Sequence, residues 1–117
     1  MTSFGAFVRE RREQLRREDR RYSVRQVAAR LGVEPAYLSK IERDQVPPPS
    51  EAAIVRLAQE LGEDPDVLLA LGGKVSGDLL NVIRKRPRLF SDLIRSLREA
   101  PDNAILRVVR EIRDGDW

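Results

Sequence analysis

Apolar residues recur at intervals of three and four along the chain, and no stretch alternates with period two, so every element this pattern predicts is a helix. The first is expected from about Phe4 to Arg17, with Ser3 as N-cap and Phe4, Val8 and Leu15 on its inner face. An arginine-rich stretch to Tyr22 reads as an exposed connection. Ser23 then opens a second helix: Ser-x-x-Gln, ending at Gln26, has the spacing of a capping box, and Val27, Ala28 and Leu31 share one face. Gly32 tolerates the left-handed backbone of a tight turn. Pro35 suits the first turn of a third helix, in which Leu38 and Ile41 point inward. Pro47-Pro48-Pro49 stops any continuation, because three successive residues lack N–H donors. Ser50 caps a fourth helix that buries Ile54, Leu57, Ala58 and Leu61, and Asp64-Pro65 opens a fifth with Val67, Leu68 and Leu71 inside, ahead of Gly72-Gly73.

A second module follows the glycine pair. Ser76 is its expected N-cap, Arg86-Pro87 a break and Pro101-Asp102 a new start, which divides it into three helices. Their apolar stripes are Leu79, Leu80, Val82 and Ile83; Leu89, Phe90, Leu93, Ile94 and Leu97; and Ile105, Val108, Val109 and Ile112. The expected fold is all-α, with a five-helix domain over residues 1–73 and a three-helix module over 74–117. About forty residues seldom sustain a core alone, so the module should pack on the first domain or on its copy in a second chain, and the copy is the expected partner.

Residues 23–43 hold the most informative arrangement, two short helices hinged at Gly32. With Leu38 and Ile41 turned inward, the third helix leaves Ala36, Tyr37, Ser39, Lys40 and Arg43 outward or at its edge, as in a helix-turn-helix that addresses duplex DNA. Lys40 can donate to guanine O6 or N7, Ser39 can address several base edges, and Ala36 can meet a thymine methyl. Tyr37 fits a base contact or a half-buried packing role equally well. Glu34, ahead of Pro35, reads as a carboxylate at a positive helix end rather than a base contact.

Charge separates along the chain in the same sense. The net value is only +3, but residues 1–30 hold nine arginines against four acids, and residues 31–75 hold eight acids against four bases. Arg16, Arg17, Arg20, Arg21, Arg25 and Arg43 are therefore the expected phosphate contacts, which fix register without reading sequence. The plainer reading of such a run is a solvated helix face.

Composition removes other classes. With no cysteine and no histidine, disulfides, thiolate chemistry, imidazole bases and Cys/His zinc sites are excluded. No paired carboxylates share an apolar face, Gly72-Gly73-Lys74 lacks the spacing of a phosphate loop, and Asp114-Gly115-Asp116-Trp117 has too few ligands for calcium. No catalytic residue, metal or cofactor is expected. Trp117 is expected to pack on a neighbouring helix. No stretch has the length of a membrane span and the N-terminus lacks the apolar run of an export signal, so a cytoplasmic, nucleoid-associated location is expected.

Val27-Ala28, Leu31-Gly32-Val33, the run Tyr37-Leu38-Ser39-Lys40-Ile41-Glu42-Arg43 with its following prolines, and Leu57-Ala58 with Leu61-Gly62 occur in an order and spacing that resemble the Xre-type helix-turn-helix family. Its members include lambda-type phage repressors and Cro proteins, and the resemblance covers residues 4–73. It implies a five-helix DNA-binding domain and a regulator, in the usual case a repressor acting as a homodimer on an inverted repeat. It also implies a partly buried ion pair between Arg12 and Glu42, with phosphate binding the other reading for Arg12. The chain departs from the family in three places. Val24 stands where a phosphate-binding Gln is frequent, the Arg16–Tyr22 connection is longer, and Asp44 occupies a position where Gly often follows helix three. The competing expectation is an interaction protein, such as the antitoxin of a toxin–antitoxin pair, whose residues 76–117 are covered by a protein partner.

Overall fold

The helical periodicity is realised throughout a computed structural model, which describes residues 2–117 and contains helices but no strand among them. The chain divides into two compact units, Met1–Ser76 and Gly77–Trp117.

The first unit contains α1 (Phe4–Arg16), a 3₁₀ turn (Arg20–Tyr22), α2 (Val24–Leu31), α3 (Pro35–Glu42), α4 (Glu51–Leu61) and α5 (Pro65–Leu71). Ser3, Ser23, Ser50 and Asp64 cap α1, α2, α4 and α5 through side-chain oxygens that accept first-turn N–H groups. The core joins Phe4 and Val8 of α1, Val27 and Ala28 of α2, Leu38 and Ile41 of α3, Ile54, Leu57, Ala58 and Leu61 of α4, and Leu68 and Leu69 of α5. The stripe of each helix thus supplies two to four side chains to one shared interior. That interior fixes α3 against α1 and α2.

Several details differ from the sequence expectation. α1 ends at Arg16, with Arg17 as its C-cap. The connection after it is not wholly exposed: its 3₁₀ turn brings Tyr22 against the core. Gln26 does not complete a capping box, because the Ser23 N–H already donates to the Arg20 carbonyl at 3.2 Å. Glu34 stands at the N-cap of α3 without a side-chain capping bond, consistent with the preference of that position for shorter side chains. In α5 the buried pair is Leu68 and Leu69, and Val67 is 45% exposed.

Asp44, Gly5 and Ser3 fasten the end of α3 to the start of α1. Asp44 takes a left-handed conformation (φ 57°), which lets the Gln45 N–H donate to the Lys40 carbonyl at 2.9 Å and terminate α3. The conformation is unfavourable for a residue with a side chain, but the Asp44 carboxylate accepts from the Gly5 N–H at 3.0 Å and the Ser3 hydroxyl at 2.7 Å. Gly5 permits that approach: a Cβ there would lie 2.9 Å from the Glu42 carbonyl oxygen and closer still to that of Ile41.

The second unit contains α6 (Gly77–Lys85), α7 (Pro87–Ser96) and α8 (Asp102–Asp114), with α6 packed against α7. Each is strongly amphipathic, yet none buries a side chain fully. Leu89, Ile94 and Ile112 are each more than half exposed. Trp117 does not pack on a neighbouring helix as expected: it is 88% exposed, and its indole Nε1–H donates to the Ile112 carbonyl of its own chain end. No helix among the described residues is long and apolar enough to cross a membrane.

Candidate nucleic-acid interface

The outer edge of α3 follows from its inner one. With Leu38 and Ile41 in the core, helical geometry turns Ala36, Lys40 and Arg43 to the opposite side, where all three are exposed. Ser39 is partly covered and Tyr37 is 38% exposed. Tyr37 lines a small apolar cleft with Leu31, Val33, Pro49, Ala53 and Leu57, so one side of its ring rests on protein.

On the other flank of α3, an open cleft of about 300 Å³ is bounded by Arg9, Arg12, Glu13 and Arg16 of α1, Val24 of α2, and Ser39, Glu42 and Arg43 at the end of α3. α1 and the end of α3 thus bring Arg9, Arg16 and Arg43 around one opening, and none of these three makes an ion pair among the described residues. Val24 begins α2 beside them. Ser23 accepts the Gln26 N–H, while the Val24 and Arg25 N–H groups have no partner among the described residues and stand at the positive end of the helix. Arg17, Arg20 and Arg25 are exposed and lie outside this lining.

Arg12 serves the fold. Its Nε and Nη2 donate to the two Glu42 carboxylate oxygens at 2.6 and 2.9 Å, its Nη1 to the Tyr22 carbonyl and its Nη2 also to Glu13, both at 3.1 Å. The hydrogen bond to Glu42 raises the Arg12 pKa above its ordinary value, against the opposing effect of burial. Because Glu42 closes α3, this bidentate pair ties the end of α3 to α1 and to the 3₁₀ turn.

The remaining arginines of the basic N-terminal region divide by partner. Arg11 pairs with Glu63, Arg30 with Glu60 while lying 5.3 Å from the Tyr22 ring centre, and Arg21 with Asp19 at 2.8 Å. The side-chain and backbone hydrogen bonds from Arg21 hold Asp19 below the usual carboxylate range. Arg21, an expected phosphate contact, is therefore held locally by an acid two residues away. Arg9 was not among the expected contacts, although its spacing to Arg12 and Arg16 places all three on one face of α1.

A family model described as a helix-turn-helix domain matches residues 3–71, from the cap of α1 to the end of α5. No curated protein and no solved structure matches the chain.

Proposed function

We propose, from the premise that this chain belongs to the helix-turn-helix domain family, that it is a sequence-specific transcriptional regulator, a repressor that binds an inverted repeat in duplex DNA as a homodimer. The observation that carries this reading is the exposed Ala36–Lys40–Arg43 edge of α3 beside a cleft lined by the unpaired cations Arg9, Arg16 and Arg43. Lys40 and Ser39 supply hydrogen bonds to base edges, Ala36 an apolar contact, and Tyr37 the margin of the same face. Arg9, Arg16 and Arg43, with the first N–H groups of α2, hold phosphates, while Arg17, Arg20 and Arg25 add charge further out. Arg21 contributes less, being paired with Asp19.

A single short helix meets only a few base pairs, so two copies reading half-sites about one helical turn apart give the needed selectivity. The Gly77–Trp117 unit supports that pairing: its three amphipathic helices expose their stripes, and a unit of about forty residues needs cover for them. The same stripes favour a second reading, an antitoxin in which a different protein supplies the cover. The mass of the purified chain separates the two, a symmetric dimer supporting the regulator and a persistently open or aggregating tail the antitoxin. DNA reading is tested by Lys40→Ala, which should cost about 1–3 kcal/mol on the preferred duplex and little on random duplex. Equal losses on both would remove Lys40 from base recognition.

A further inference from the structure

The Gly77–Trp117 unit carries a cationic cluster separate from the α3 edge. Arg84, Lys85, Arg86 and Arg88 occupy four of five consecutive positions at the junction of α6 and α7, all four are exposed, and none forms an ion pair among the described residues. Helix stability explains half of the cluster. Arg84 and Lys85 lie in the last turn of α6, where cations complement the helix dipole. Arg86 and Arg88 are placed the opposite way. Arg86 is the N-cap of α7 and makes no side-chain capping bond, and Arg88 lies in a first turn that contains no acid. N-caps favour Ser, Thr, Asp or Asn and first turns favour carboxylates, so both cations weaken α7 as it stands. An anion at the start of α7 reverses that sign, because it neutralises cations that stand at a positive helix end.

We propose that this junction is a second site for the phosphate backbone of duplex DNA, contacting sequence that flanks the stretch under α3. The inference rests on the DNA-binding reading above. The two units are joined directly at Ser76–Gly77, so once α3 is engaged the junction is held at high effective concentration near the same duplex. A duplex fits better than an anionic membrane, because the helix-turn-helix unit to which the junction is joined directly brings that polyanion to it. The contact adds affinity and salt dependence without base preference.

The test compares the full chain with two variants, R84Q/K85Q/R86Q/R88Q and Arg86→Ser/Arg88→Glu. The second variant installs a capping residue and a first-turn acid, so it should keep or raise helicity while losing the anion site. Binding is measured against salt on a duplex extending about 20 base pairs beyond the selected site and on a random duplex of equal length. The expected result is a slope of log K on log salt that is shallower by roughly 0.9 for each phosphate no longer neutralised, about 2–4 in all for the fourfold variant, on both duplexes and with base preference unchanged. Slopes equal to that of the wild-type chain in both variants would overturn the proposal. So would tighter capture of the wild-type chain by phosphatidylglycerol vesicles than by duplex, abolished in the variants. A wild-type chain that binds all duplexes alike would refute base reading by α3, yet the slopes would still decide the role of the junction.

Discussion

Replacing Glu42 with alanine removes the acceptor of a bidentate pair whose two side chains are only 3% and 4% exposed. Breaking such a buried pair from one side costs about 3–5 kcal/mol, chiefly because the remaining charge is left without its counterion. Arg12 would keep the Tyr22 carbonyl and the half-exposed Glu13 carboxylate, each at 3.1 Å, which places the expected loss near the lower end, about 3 kcal/mol. For a domain of this size that corresponds to a fall in Tm of roughly 12–24 °C. The assay is thermal and urea unfolding of the full chain followed by far-UV circular dichroism, at one protein concentration because assembly itself shifts the midpoint. The double variant Arg12→Met/Glu42→Leu supplies the control, since apolar residues of similar volume should restore most of the loss. A loss below about 0.5 kcal/mol in Glu42→Ala, or a double variant less stable than the single one, would refute the assignment of this pair as the clamp on α3.

Three further outcomes are expected. Gly5→Ala should destabilise by about 1–3 kcal/mol and weaken duplex binding, because its Cβ collides with the carbonyls that end α3; an unchanged midpoint in urea would show that α1 and α3 are not held in this register. Arg9→Ala should weaken binding to specific and random duplex alike and reduce the salt slope by about 0.9, and an effect confined to one sequence would contradict a phosphate role. Asp19→Asn should release Arg21 and tighten binding to every duplex with a slope steeper by about 0.9; unchanged affinity would place Arg21 away from the backbone.

Helix type and most of the core are legible in the sequence because spacing at three and four is a local signal that tertiary packing only completes. The signal weakens where the helix is short. α5 has seven residues, five of them apolar, so spacing alone cannot decide between Val67 and Leu69 for the inner face. Capping is legible at Ser3, Ser23 and Ser50, but the second half of the Ser23–Gln26 box is not, since the 3₁₀ turn supplies the partner from outside the motif. Asp44 appears in the sequence only as a departure from glycine. Its role requires Gly5, 39 residues away in the chain, to be brought beside it. Among the arginines, charge density marks the basic region, whereas the division into paired and unpaired cations depends on acids such as Glu42, Glu60 and Glu63 that come from distant segments. Arg9 was available from its spacing to Arg12 and Arg16. The Arg12–Glu42 pair was visible only through resemblance to the family.

The central claim, that the exposed edge of α3 reads duplex sequence in a two-fold assembly, is tested most directly by selecting bound fragments from a pool of random duplexes with the full chain and repeating the selection with Lys40→Ala. Two inverted half-sites about one helical turn apart, with one base position in each losing its preference in the variant, are the result the account predicts. Enrichment of no motif by the wild-type chain, or a motif the variant selects unchanged, would contradict it.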